Sequence, residues 1–116
     1  MCTQSEAMAI FAEVVERCRE LFGDKLRDAY LYGSYARGDF DDESDIDILV
    51  TVDEEPEKLA KLDRNVSDIN SDLSLEHEIT VSTYAVPLGQ FTRFSDDLPF
   101  YRNVLTEGIK YAGSRT

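Results

Sequence analysis

The segment from Ala29 to Val52 restricts the possible folds more than any other part of the chain. Ala29 to Tyr32 is a short run of aliphatic and aromatic side chains, the composition of a strand, and it runs directly into Gly33-Ser34. Asp45 to Val52 reads as a second strand whose first half alternates. Strand geometry sends successive side chains to opposite faces, so Asp45 and Asp47 share one face while Ile46 and Ile48 share the other. Such a chain must build a sheet with one apolar side, and two carboxylates must project together from the opposite side.

The remaining pattern supplies helices. From Ser5 to Phe22, the residues Met8, Phe11, Val14, Val15, Cys18, Leu21 and Phe22 recur at steps of three and four, one face of a helix. Ser5 is its expected N-cap, and Gly23 ends it in a left-handed conformation. Pro56 suits a first helical turn, and Leu59, Leu62, Val66, Ile69 and Leu73 continue as a second amphipathic helix. Glu78 to Thr83 is the expected third strand, with Glu78, Thr80 and Ser82 on its polar face. Pro87 to Phe94 reads as a helical turn. A last helix is capped by Asp97, carries Phe100, Tyr101, Val104 and Leu105, and closes at Gly108, before an edge strand at Ile109 to Ala112. Strands alternating with helices predict an α/β (α+β) fold, a small sheet flanked by helices, and 116 residues fit one domain, 1–116.

Charge narrows the partners. Twenty-four acidic against twelve basic residues give a formal net charge of −12, which disfavours stable binding to a nucleic-acid backbone and favours cations or a basic protein partner. No apolar run is long enough to span a bilayer. Neither a secretory leader nor a disulfide framework is expected, so the expected location is cytoplasmic. Cys18 belongs to the apolar face of the first helix, as free cysteine commonly does.

The chemistry concentrates between Leu31 and Val50. A turn at Gly33-Ser34 that opens a short helix can present backbone N–H groups to a phosphate, and glycine permits close approach. The Ser34 hydroxyl and the Arg37 guanidinium add donors. Arg37 could equally pair with Asp39 or Asp41; the phosphate reading is preferred. Asp45 and Asp47, crowded on one face, repel unless a cation lies between them, and hard carboxylate oxygens suit Mg²⁺. A pair of metals could bridge the attacking and leaving oxygens of a phosphoryl displacement.

Gly33-Ser34-Tyr35-Ala36-Arg37-Gly38, five residues, then Ser44-Asp45-Ile46-Asp47 resembles the signature of the DNA polymerase beta-type nucleotidyltransferases, and more narrowly of the minimal nucleotidyltransferases. The ending Pro99 to Leu105, then Glu107-Gly108-Ile109, is similar to the tail of many such proteins. The resemblance implies a small mixed sheet backed by helices and a Mg²⁺-dependent reaction, with two cations and with ATP or another NTP as substrate. It implies nucleotide binding by Gly33, Ser34, Arg37 and Ser44, and catalysis and metal binding by Asp45, Asp47 and a third carboxylate on a later strand. That family prefers Asp at the third position, and the corresponding stretch here offers Glu76 and Glu78. Glu78 is chosen because it shares a face with Thr80 and Ser82; His77, on the opposite face, is read as structural.

The resemblance further implies an antitoxin that adds AMP to an HEPN-domain toxin. Two alternatives stand beside it: a small-molecule nucleotidyltransferase, and a catalytically degenerate binding module. Self-association and the acceptor are left open.

Overall fold

The computed structural model describes residues 2–111 of the 116. Helix α1 spans Gln4–Phe22 and is capped by Thr3, two residues before the expected Ser5. Thr3 Oγ1 accepts from the Glu6 N–H at 3.0 Å, and Glu6 Oε1 accepts from the Thr3 N–H at 2.8 Å. This reciprocal box needs an acid or amide three residues after the cap; Thr3 has Glu6 there, whereas Ser5 would have Met8. Gly23 follows the helix at positive φ but outside the left-handed helical region, and opens a short 3₁₀ turn through Lys25.

Strand β1 covers Leu26–Tyr32, three residues longer at its start than expected. Helix α2, Ser34–Arg37, follows at once, and strand β2 covers Ile46–Val52. The expected single helix after Pro56 is two, α3 at Pro56–Ala60 and α4 at Asp63–His77. The three- and four-residue spacing runs through the break without interruption, so periodicity alone could not reveal it. Strand β3 is Val81–Pro87, not Glu78–Thr83. Helix α4 persists to His77, and Glu78 closes it with φ 55 and ψ 39, its N–H donating to the Ser74 carbonyl. Helices α5, Leu88–Phe94, and α6, Pro99–Glu107, lead into the short strand β4, Ile109–Lys110. Leu98 rather than Asp97 precedes α6, with Pro99 in its first turn. The Ala112 end of the expected last strand lies outside the described residues.

The sheet order is β3-β2-β1-β4. β1 is antiparallel to β2 and β4, while β2 and β3 are parallel, joined by the α3–α4 crossover. One face packs Ile46, Ile48, Val50, Ala29, Leu31 and Val81 against α1 and α4. The other carries a smaller cluster, Tyr30 and Leu49 with Phe91, Tyr101 and Val104 of α5 and α6. Cys18 is fully buried in the larger core, and burial pushes its thiol up to about 12, as expected for a packing residue. Among the described residues no helix is long and apolar enough to cross a membrane.

The outer edge of β3 is closed by side chains of α4. Asn70 accepts from the Thr83 N–H at 3.0 Å and donates to the Thr83 carbonyl at 3.4 Å. Ser74 Oγ accepts from the Val81 N–H at 2.8 Å. An open strand edge invites pairing with another chain; here the amide of Asn70 takes the place of a neighbouring strand, and fixes β3 alongside β2.

Candidate active site

The site begins where β1 ends. Gly33 has φ 81, a conformation that glycine tolerates and L side chains rarely adopt. A Cβ built there would stand 2.7 Å from Asp47 Oδ2, so the absent side chain is what lets the turn lie against that carboxylate. The turn is anchored from below. Tyr35 of α2 is fully buried, stacks on Phe40 with ring centroids 4.3 Å apart, and donates from its hydroxyl to the Cys2 carbonyl at 3.1 Å. Gln4 donates from its amide to the Tyr35 carbonyl. Gly38, with φ 89, ends α2 by donating from its N–H to the Ser34 carbonyl at 2.8 Å.

Gly33 and Ser34 therefore lie at a strand-to-helix turn beside Asp47. The first N–H groups of a helix have no partner inside it, so this short helix start faces the carboxylate face of the sheet. Asp45 is exposed and falls one residue before β2; Asp47 is half-buried inside the strand. Burial raises the Asp47 carboxyl above its ordinary value and the neighbouring Asp45 charge adds to this, while Arg37 opposes it. The direct partners of Arg37 are Asp39 Oδ2 at 3.2 Å and Glu107 Oε1 at 3.6 Å. The Asp39 pairing weighed from the sequence is present, and Glu107, seventy positions away, gave no sequence signal. Exposed pairs of this kind contribute little and yield readily to a stronger anion.

Ser44 holds the loop that leads into Asp45. Its Oγ accepts from the Asp41 N–H at 2.9 Å, and its own N–H donates to the Asp41 carbonyl at 3.1 Å.

Glu78 is not where the sequence placed it. It sits at the C-cap of α4 rather than on a strand. There it lines a cavity of about 540 Å³ together with Cys2, Glu6, Tyr35, Asp42 and Ile79. The physical reason is the length of α4: helix-compatible Leu73 to His77 continues the α4 turns, and the strand begins only at the β-branched Val81. Glu76 is exposed on α4 and faces His77, whose Nε2 lies 2.9 Å from Glu13 Oε2 and 3.5 Å from Glu76 Oε2. His77 thereby links α4 to α1. Among the described residues, Glu13, Glu76 and His77 form the one group of three such donors lying within 4.8 Å of one another; Asp45, Asp47 and Glu78 do not form another.

Beside Asp47 the register places Tyr32 on β1 and Ser82 on β3. Sequence reasoning put Ser82 on the polar face of the third strand but gave it no role, because it began that strand too early and chose Glu78; the β-branched Ile79-Thr80-Val81 favoured the early start.

The strand-to-helix turn at Gly33 thus packs on Asp47 of a four-stranded mixed sheet. The nucleotidyltransferase domain family matches residues 12–111, and the chain belongs to it. Two relatives from Methanocaldococcus jannaschii carry the names "Putative protein adenylyltransferase MJ0141" and "Putative protein adenylyltransferase MJ0604". The first is 35% identical over 96 residues, 83% of this chain and 95% of the relative. The second is 31% identical over 96 residues, 83% of this chain and 88% of the relative. In fold the chain is similar to a crystal structure of the toxin–antitoxin MntA–HpeT, with TM-score 0.52 and 20% identity, covering 85% of this chain and 69% of that one. It is also similar to a structure of a tri-AMPylated Shewanella oneidensis HEPN toxin in complex with MNT antitoxin, with TM-score 0.51 and 20% identity, covering 90% and 70%.

Proposed function

We propose that this chain, read as one nucleotidyltransferase domain over 1–116, moves AMP from ATP onto a hydroxyl of a protein partner, and that the partner is an HEPN-domain toxin. The observation that carries the reading is the contact of the Gly33-Ser34 turn with Asp47. It sets the start of α2 against one carboxylate of the Asp45/Asp47 pair. The names of the relatives support a protein acceptor, and the AMPylated toxin complex supports the kind of partner. The net charge of −12 suits a basic protein surface better than a nucleic acid.

The donor set fits a divalent cation. Asp45 and Asp47 are hard oxygen ligands, and the Asp47 carboxyl, raised first by burial and then by the Asp45 charge, would gain from a cation beside it. Bound there, Mg²⁺ would neutralise charge on the triphosphate. The α2 turn and Ser34 would orient the phosphates, with Arg37 exchanging Asp39 and Glu107 for a phosphate oxygen. Ser44 would keep the approach to Asp45 in place through its Asp41 bonds. The acceptor oxygen would then bond to the α-phosphorus as the bond to the departing pyrophosphate breaks, its hydroxyl proton passing to water.

The test is incubation with α-labelled ATP, Mg²⁺ and a purified HEPN-domain protein, followed by mass spectrometry of both chains. AMP should appear on a partner hydroxyl and vanish with Asp45→Asn/Asp47→Asn. Transfer by that double variant at the wild-type rate would refute the assignment. One observation favours a second reading, a domain that binds nucleotide without transferring it: the cross-strand partners of Asp47, Tyr32 and Ser82, are not carboxylates. Nucleotide binding with no transfer to any HEPN partner would select it.

A further inference from the structure

The sheet register fixes what surrounds Asp47. Tyr32 of β1 is opposite it on one side and Ser82 of β3 on the other. Opposed residues on neighbouring strands project from the same face, so Asp47 stands between a phenol and a neutral hydroxyl, with Gly33 against its Oδ2. Two residues on, the same face of β3 carries Tyr84, which is exposed. Glu78, the carboxylate nearest in sequence, caps α4.

We infer that this site takes one divalent cation with its nucleotide rather than two, and that Ser82 is the position that sets the number. The inference rests on the nucleotidyltransferase reading above and sharpens it. A single octahedral cation finds enough ligands in two carboxylate oxygens, phosphate oxygens and water. A second, about 3.5–4 Å from the first, needs an anionic oxygen of its own on the far side. Ser82 is the residue whose side chain projects there, and a neutral hydroxyl brings neither charge nor a strong ligand. Asn70 and Ser74 hold β3 at this register, so a carboxylate cannot be brought in by sliding the strand. The expectation of two cations is thereby revised to one.

Mn²⁺ is the probe, counted by electron paramagnetic resonance on the full chain with one equivalent of α,β-methylene-ATP. Wild type should hold one Mn²⁺ per protein–nucleotide complex, without the signature of a coupled pair. Ser82→Asp, checked for folding by thermal melt, should hold two, with spin coupling between them. Ser82→Asn, similar in shape but neutral, should hold one, and Ser82→Glu offers a second carboxylate if the Asp variant does not fold. Single-turnover transfer should rise on the order of 10-fold or more with Ser82→Asp. Two coupled ions in wild type would overturn the inference, as would one ion in a folded carboxylate variant. Failure of wild type to bind Mn²⁺–nucleotide at all would instead remove the nucleotidyltransferase reading beneath it.

Discussion

Gly33 and Asp47 are packed so closely that a single methyl group on Gly33 would come within 2.7 Å of Asp47 Oδ2. Gly38, five residues later, also has positive φ, but a Cβ there meets nothing within 4 Å. The two glycines separate backbone strain from steric contact. Gly38→Ala should cost about 1–2 kcal/mol, the ordinary penalty of a left-handed L-residue, and should leave nucleotide affinity intact. Gly33→Ala should cost the 1–3 kcal/mol of a strained backbone, and should also displace the Asp47 carboxylate. Chemical denaturation gives the first quantity and titration with Mn²⁺–nucleotide the second. Equal affinity losses in the two variants would mean the Gly33–Asp47 contact has no functional weight.

The same carboxylate makes stability depend on pH. Burial, then Asp45, raise the Asp47 carboxyl above its ordinary 3.8, against the opposing charge of Arg37. A raised acid contributes stability that is fully present below its unfolded value and lost as pH rises through its folded value. Charged Asp47 therefore strains the metal-free fold at neutral pH. Asp47→Asn should raise the melting temperature at pH 7 in chelator, and the gain should shrink towards zero on acidification to 3.8 and below. Paired melts across that range check it; a gain that grows with acid would reverse the sign.

Much of the site was legible because it is local. Gly33-Ser34 directly follows β1, and the stretch from there to β2 is only α2 and one loop, so alternation over a few residues is enough to put Asp47 on the face opposite Ile46 and Ile48, although Asp45, expected to open the strand, falls one residue before it. The expected placement of Glu78 on a strand differs from the structure for a non-local reason. Whether Leu73 to Glu78 continues a helix or starts a strand is decided by packing of α4 on α1 and β3, where Leu73 is buried and His77 meets Glu13. The parity was right, since Ser82 of the expected polar face stands beside Asp47, but the early strand start put Glu78 on a strand that does not reach it. The result is a positive-φ glutamate at a helix end where glycine is favoured. Glu78→Gly should stabilise the protein by about 0.5–1 kcal/mol, since relief of the left-handed strain exceeds the added backbone freedom. Transfer should be unaffected. Loss of transfer without loss of stability, in this variant and in Glu78→Gln alike, would restore Glu78 to the site.

The outer edge of strand β3 is held by the Asn70 amide together with Ser74. Asn70 both accepts from and donates to the backbone of Thr83, as a neighbouring strand would. Asn70→Ala removes both bonds and leaves a part-buried N–H and C=O, at a cost of about 1–3 kcal/mol. Asn70→Asp keeps an acceptor for the N–H but turns a second oxygen towards the Thr83 carbonyl, so it should rescue only part of the loss. The effect should be regional. Amide exchange at Val81 and Thr83 should accelerate in both variants, while Tyr30 and Leu49 in the middle of the sheet keep their protection. Because Ser82 stands beside Asp47 through the same strand, the Mn²⁺ count of Ser82→Asp should fall back towards one when Asn70→Ala is added. Uniform loss of protection across all strands would show that Asn70 supports the whole fold rather than the edge that faces the site.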